Sequence, residues 1–387
     1  MSTWATALGM ALVILSITSG RGLKFAISEK FRALEGDFVL RTYAPNRTAD
    51  AGAIALDSAL IADLGTDKAV EGLHPFTQKT ALLVGEEKSS FEGMVITGVQ
   101  EAYTASLEAK GILNVEKLNP GAALPEHRYG SWISKYTAQN LGLALGDTAT
   151  LIILPKDNQV PKFRKSVVEG IYTSGLEEYD RQNVLITLRD GQRLNRWRKD
   201  SVSGYQVAIH PNHDAGTVAN WWNAQVPFDV EVALLEDRYP ALFQWIALFD
   251  TNILIVLGIV LIVAIANVIT ALMVLIIDRT TMIGTFKALG ASNSMLQRVF
   301  QFMAMNYMGR GLLLGNALGL LASFAQWNWG IITLDPETYY LAVAPIYFDW
   351  PWIITANAIF IAVGYVLLFL PVKWIGRMHP MKSIRFS

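Results

Sequence analysis

The sequence predicts a membrane protein of four transmembrane α-helices with a large α+β domain inserted between helices 1 and 2. Three observations carry that expectation. Four long uncharged stretches, Met1–Gly20, Thr251–Ile277, Gly311–Thr333 and Trp350–Val372, frame the chain. Each is long enough to cross a hydrocarbon core of roughly 30 Å, which takes about 20 apolar helical residues. Between the first two, Arg21 to Phe249 hold 24 Lys+Arg and 28 Asp+Glu, a balance suited to a water-exposed body that buries its own core, as two small subdomains. Within that body, runs of alternating polarity are interleaved with runs of helical spacing, the mixture of an α+β fold.

The boundaries follow in order. Residues 1–20 form the first span; Arg21 is the first Lys or Arg, so the basic leading region of a cleaved signal peptide is missing and the segment reads as an uncleaved helix. Residues 21–245 form the large domain, 246–277 the second span with an outer stalk, and 278–310 a connecting segment with the start of helix 3. Residues 311–333 are the third span, 334–349 a loop, 350–372 the fourth span and 373–387 a tail.

In the large domain, Asp37–Tyr43, Ala81–Val84, Met94–Val99, Ala149–Leu154, Val167–Ile171, Asn183–Thr187, Tyr205–Ile209 and Val230–Leu234 read as strands. Leu56–Leu64, Ser134–Leu143 and Ala215–Ala224 read as helices. Pro155–Lys165 separates two β-branched runs and carries Lys156, Lys162, Arg164 and Lys165, a locally basic loop or hairpin. Pro240 suits the first turn of a helix. A helix continuing from there to Ile277 would be a rod of nearly 57 Å at about 1.5 Å per residue.

Gly311, Gly315 and Gly319 recur every four residues in span 3, the spacing that lets helix backbones approach closely in lipid. Asn267, Asn316 and Asn357 are expected to hydrogen-bond between helices. Trp221 and Trp222 are expected in the core of the large domain, and Trp327 and Trp329 at a membrane interface. No Asp, Glu, Lys or Arg lies deep in a span, which argues against an ion-coupled carrier.

Orientation comes from the short connections. Asp278–Arg310 carries Arg279, Lys287, Arg298 and Arg310 against one acid, and the tail carries Lys373, Arg377, Lys382 and Arg385 against none. The loop between spans 3 and 4 carries Asp335, Glu337 and Asp349 and no base. The positive-inside rule puts the 278–310 connection and both termini in the cytoplasm, and the large domain outside.

Much chemistry is excluded. Without cysteine there is no disulfide framework and no thiolate nucleophile. A net charge of −1 offers no basic footprint for nucleic acid. The phosphate-binding G-x-x-x-x-G-K-[ST] loop is missing, so the chain is not expected to hydrolyse ATP, and no catalytic residue is nominated. His210-Pro-Asn-His213 pairs two imidazoles around a proline that breaks helical presentation, so no metal ligand is nominated either.

The informative connection is Asp278-Arg-Thr-Thr-Met-Ile-Gly-Thr-Phe-Lys-Ala-Leu-Gly-Ala-Ser292. It reads as a short amphipathic helix, Met282–Leu289, ended by Gly290 and followed by a new helix capped by Ser292. The run Ile283–Ser292 resembles the coupling helix of the FtsX/MacB/LolC-type ABC permeases. Within that superfamily the chain is most similar to the lipoprotein-releasing transmembrane subunits of LolC/LolE type. Supporting stretches are Ser174-Gly-Leu-Glu-Glu-Tyr-Asp180, Leu334-Asp-Pro-Glu-Thr-Tyr-Tyr340 with Pro345, and Pro380-Met-Lys-Ser-Ile-Arg385. Met282 stands where the family run usually has an acid; family members usually carry an amphipathic segment ahead of span 1, whereas here span 1 begins almost at Met1, so either the start is misassigned or that segment is missing.

The resemblance implies a non-catalytic subunit of the bacterial inner membrane with a periplasmic domain. It implies a dimer with an identical or related permease subunit, coupled to a cytoplasmic LolD-like ATPase that binds the ATP. Acylated lipoproteins would be lifted from the bilayer to a LolA-like periplasmic carrier. It assigns ATPase coupling to Met282, Ile283, Gly284, Phe286, Lys287, Ala288, Leu289 and Gly290. Carrier binding falls to Pro155, Lys156, Val160, Pro161, Phe163 and Arg164. Leu23, Phe25, Trp245, Leu248, Phe249 and Ile253 are candidates for an apolar lipoprotein route. Related expectations from the same superfamily are a MacB-like efflux permease and an FtsX-like transmitter controlling cell-wall hydrolases.

Overall fold

A computed structural model describes residues 2–43, 52–54, 56, 58–85, 90–118, 129–153, 160–335, 341 and 343–367. The chain divides into two compact units, one built from residues 1–26, 242–334 and 342–387, the other from 27–241 and 335–341.

The first unit is helical. Among the described residues, four helices are long and apolar enough to cross a membrane: α1 (Ser2–Glu35), α9 (Pro240–Asp278), α11 (Asn293–Trp329) and α12 (Trp350–Leu367). A short α10 (Thr280–Ala288) joins α9 to α11. Helix α9 begins at Pro240 as expected and is continuous over 39 residues. Helix α1 outruns the expected Met1–Gly20 span by fifteen residues. Its extension carries charges, so hydropathy alone ends the span early while the helix continues. The final expected residues of span 4, 368–372, lie outside the described residues.

One apolar core threads all five helices. It joins Met10, Ile14 and Ile17 of α1 to Ile253, Leu257, Val268 and Ile276 of α9, Ile283 of α10, Phe300 and Met308 of α11, and Phe360 of α12. Side chains elsewhere on these helices, such as Ile259, Ile262, Leu313 and Leu321, are exposed and apolar, as lipid-facing positions should be. The glycine ladder packs on α1: a Cβ at Gly315 would lie 2.5 Å from the Ala7 carbonyl oxygen, and one at Gly319 2.8 Å from Ile14 Cβ. Asn316 and Asn357 exchange amide hydrogen bonds of 2.8 and 3.0 Å between α11 and α12. In hydrocarbon such a pair leaves neither amide facing an apolar partner. Asn267, expected to do likewise, is instead exposed on α9.

The second unit is α+β, with ten strands among its described residues, in order β10-β1-β9-β2-β3-β8-β5-β7-β4 and β6 pairing both β2 and β7. The strands are β1 (Phe38–Thr42), β2 (Val70–Val84), β3 (Phe91–Val99), β4 (Asn114–Lys117), β5 (Tyr129–Ser134), β6 (Thr148–Ile153), β7 (Lys162–Thr173), β8 (Asn183–Thr187), β9 (Gly204–Ile209) and β10 (Val230–Leu234). Pairings β2–β3–β8–β5–β7–β6–β2 return on themselves, so six strands close a small barrel. Its interior holds Leu83, Met94, Ile96, Ile133, Leu151, Val168 and Ile186. The other four-strand arrangement, β10-β1-β9-β2, is covered by α2 (Ser58–Thr66) and α7 (Ala215–Asn223), whose Leu64, Val218 and Trp222 pack on Phe38, Leu40 and Val207.

Fifteen-residue β2 serves both lobes. Val70–Phe76 pairs β9, and Thr77–Val84 pairs β3. The two expected subdomains thus appear as two cores sharing one strand. Trp222 is buried at 2% exposure and donates to Asp67 Oδ2 at 3.1 Å. Trp221 is 55% exposed, which corrects its expected place in the core: α7 turns Val218, Ala219 and Trp222 to the sheet, and Trp221 falls off that stripe.

The Ser174–Asp180 stretch closes on itself. Asp180 accepts from Ser174 Oγ at 2.6 Å and Ser174 N at 3.2 Å, and Ser134 Oγ donates to the Asp180 carbonyl at 2.5 Å. Burial pushes the Asp180 carboxyl up to about 6 against the opposing pull of the hydrogen bonds from Ser174 and Gly175.

Candidate coupling helix and membrane-unit surfaces

Helix α10 is positioned from both ends. Thr280 Oγ1 donates to the Ile276 carbonyl at 3.2 Å, tying its first turn to the end of α9. Gly290 adopts φ +95°, a left-handed conformation that non-glycine residues rarely take, and ends the helix. Ser292 Oγ then accepts from Met295 N at 3.2 Å and starts α11. Both capping expectations hold.

The eight nominated coupling residues separate into two groups. Ile283 is fully buried among Ile276, Leu296 and Phe300, and Gly284 is buried beside it. They seat the helix. Met282, Phe286 and Leu289 fall at spacings of four and three on the opposite face and are exposed, Leu289 at 79%. Ala288 and Gly290 are exposed as well, and partial burial holds the Lys287 ammonium below its usual range. A short helix seated by one face and apolar on its open face is of the kind that docks on a partner protein.

Of the expected loop or hairpin at 155–165, the residues up to 159 lie outside the described ones. Strands β6 and β7 pair antiparallel out to Ile153 opposite Lys162. Val160, Pro161, Phe163 and Arg164 are exposed, with Arg164 donating to the Phe163 carbonyl at 3.0 Å. Pro155 and Lys156 lie outside the described residues. Exposed Val160 and Phe163 thus stand beside exposed Arg164 and Lys165 at the start of β7.

The six residues nominated for a lipoprotein route lie in the helical unit but not on one surface. Leu23 and Ile253 are buried, and Ile253 fills space against Gly20 of α1. Phe25 is half-exposed and stacks on Tyr347 with centroids 4.9 Å apart. Trp245 meets Phe249 edge-on at 5.2 Å, and Leu248 is exposed. Leu23 and Ile253 therefore pack the helices together, while Phe25, Trp245, Leu248 and Phe249 offer apolar surface.

Beside them lies a charge cluster that the sequence reading did not assemble. Arg21 of α1 bonds Asp349 at 2.7 Å and Asp250 at 3.1 Å. Lys24 bonds Asp250 at 2.5 Å. The Arg21 guanidinium also lies over the Trp352 ring, 5.3 Å from its centroid. The signal was present: Arg21, Asp250 and Asp349 each flank an uncharged stretch. Arg21 and Lys24, the two bases that directly follow the first uncharged stretch, are neutralised locally, within the unit that holds the spans.

Comparison with known proteins agrees with this architecture. The MacB-like periplasmic core domain model matches residues 1–224, and the FtsX-like permease C-terminal model matches residues 254–380. The lipoprotein-releasing system transmembrane protein LolC of Xylella fastidiosa is 23% identical, over 83% of this chain and 79% of its own length. The corresponding LolE of Haemophilus influenzae is 21% identical, over 98% and 92%. Among solved structures, the periplasmic region of MacB from Actinobacillus actinomycetemcomitans matches 54% of this chain and 94% of its own, at 15% identity and a TM-score of 0.33. With one model covering more than half of the chain and the other most of the remainder, the protein belongs to the family of MacB/FtsX-like ABC transporter permeases, multi-pass membrane proteins with a large α+β domain.

Proposed function

We propose that the chain is the non-catalytic permease subunit of a lipoprotein-releasing ABC transporter. It would couple ATP hydrolysis by a separate cytoplasmic ATPase to the extraction of acylated lipoproteins from the inner membrane and their transfer to a periplasmic carrier. The observation that carries the coupling part is α10, anchored through Ile283 and open along Met282, Phe286 and Leu289. The cargo is carried over from relatives named for lipoprotein release that align along most of the chain.

In this reading the termini and α10 face the cytoplasm, and a dimer with an identical or related subunit holds two LolD-like ATPases. The ATPases bind the ATP, and this chain binds no cofactor. ATPase closure pushes on α10; α9, continuous from Asp278 to Pro240, carries the push outward. Acyl chains cost about 0.8 kcal/mol per CH₂ exposed to water, so several chains demand a sheltered apolar route. Phe25, Trp245, Leu248 and Phe249 supply its surface, with Leu23 and Ile253 holding the helices behind it. The 155–165 segment, through Val160, Pro161, Phe163 and Arg164, recruits the LolA-like carrier.

Depletion tests the reading. Acylated lipoproteins accumulate in the inner membrane when the protein is removed and clear when it is restored. A depleted strain whose lipoproteins still reach their destination, while efflux or cell-wall hydrolysis fails, would reject it. Crosslinking from Leu248 and Phe249 to an acylated lipoprotein tests the route, and deletion of residues 155–165 tests carrier recruitment.

A further inference from the structure

A groove of about 560 Å³ lies in the helical unit, lined by Thr3, Trp4, Tyr307, Arg310, Leu313 and Leu314. We infer that it binds the phosphate of an anionic phospholipid of the membrane leaflet at the inner ends of the spans, with Arg310 as the phosphate ligand. This is independent of the cargo the permease moves.

Charge is the first argument. Arg310 is exposed, and among the described residues no carboxylate pairs with it. None can come from the walls: neither 1–28, which holds most of α1, nor 279–333, which holds α10 and α11, contains an Asp or Glu. The same is true of everything after Asp349. A guanidinium in an otherwise apolar groove recruits its counter-ion from outside the chain, and phosphate oxygens match its planar fork.

Depth is the second. Arg310 precedes Trp329 by 19 residues on one continuous helix, which at about 1.5 Å per residue is roughly 28 Å. That is close to one hydrocarbon thickness. With exposed Trp327 and Trp329 at one interface, Arg310 sits at the other, where headgroups are. Trp4 and Tyr307, both exposed, are the residue types that favour that level, and each carries a further donor for phosphate oxygens. Leu313 and Leu314 lie one turn deeper, exposed and apolar, and line the path of an acyl chain.

Native mass spectrometry of the full chain, stripped of lipid in detergent and titrated with phosphatidylglycerol or phosphatidylcholine, tests the site. The wild type is expected to retain one more phosphatidylglycerol than phosphatidylcholine. Arg310→Gln is expected to lower that occupancy at least threefold, and Arg310→Lys to lose less. Arg298→Gln serves as the control. Arg298 is an exposed base on the same helix but 12 residues beyond Arg310, outside the headgroup level, so its loss should leave occupancy unchanged. Excess inorganic phosphate should not displace the lipid. Equal retention of the two lipids, equal loss in the two glutamine variants, or displacement by free phosphate would overturn the assignment. So would a groove closed by a second copy, seen as lipid-independent crosslinking between Trp4→Cys and Leu314→Cys chains. Unchanged elution volume of each variant shows that it is folded.

Discussion

Replacing Gly315 by alanine adds one methyl where there is no room for it. The new Cβ would lie 2.5 Å from the Ala7 carbonyl oxygen, 2.7 Å from Met10 Cβ and 3.1 Å from Ala7 Cα. Ordinary carbon contacts need about 3.5 Å. Two of the three obstacles are backbone atoms of α1, which no rotamer change can remove, so α1 and α11 must part by about 1 Å. Overpacking of this kind costs about 1–3 kcal/mol. Gly→Ala also gains up to about 1 kcal/mol in helix propensity, which would blur a comparison with wild type. Gly309→Ala cancels it: the site is on the same helix, and nothing lies within 4 Å of a Cβ there. The difference between the variants isolates the clash. At about 2–4 °C per kcal/mol for a body of 150–250 residues, Gly315→Ala should melt about 2–12 °C below Gly309→Ala when detergent-purified protein is followed by tryptophan fluorescence. Coincident melting curves would refute the close approach of α1 to α11.

The coupling helix should divide by face. Ile283→Ala is expected to lose about 2–5 kcal/mol of stability from a buried cavity, whereas Phe286→Ala should keep its melting temperature but no longer copurify with the ATPase; identical behaviour of the two would contradict the two-faced assignment. Arg21→Gln leaves the buried Asp349 without its cation, while the Arg21 side chain itself is partly exposed, so stability should fall by about 1–3 kcal/mol, between the surface and buried limits. A double-mutant cycle with Asp349→Asn that shows no coupling would dissolve the cluster. Asp180 titrates at about 6 in the folded unit and near 3.9 when unfolded. A raised acid pKa means the folded state holds the proton more tightly, so stability is greatest below about pH 4 and falls as pH rises through 6, by up to ~3 kcal/mol from this group. Burial raises Asp37 and Glu169 as well, adding slope of the same sign; Asp180→Asn should flatten the pH 4–6 portion, and an unchanged slope would count against the shift.

What could be read from residues alone follows the strength of the local signal. The spans, the helix start at Pro240, the caps at Gly290 and Ser292, and strands such as Asn183–Thr187 and Tyr205–Ile209 were legible because each has a local mark: a charge-free run, a residue type suited to a helix end, or a short apolar run buried almost throughout. Half of β2 was not. Gly72, His74, Pro75, Gln78 and Lys79 look like a loop, and the strand exists because β9 and β3 supply partners from far along the chain. Strand β5 was hidden in the same way, completed by pairing with β7 and β8. The helical extension of α1 went unread because its polar residues find partners of its own unit, Glu35 with Arg238 at 2.7 Å among them. At the coupling helix the motif named the segment but could not sort its faces, since Ile283 and Met282 are adjacent and equally apolar. Only packing separates an anchor from an open surface.

The passage of β2 through both lobes has a mechanical meaning. Its backbone cannot leave the barrel at Thr77 without tugging the Phe76 carbonyl, which accepts from Ser203 N at 2.8 Å, and the β9 pairing beside it. Fraying that begins on one side is thus handed across a single peptide bond to the other. Two hydrophobic interiors joined in series by an unbroken ribbon should melt together, in one sharp step. Load applied at either end would then be borne by the whole body rather than absorbed by a yielding half.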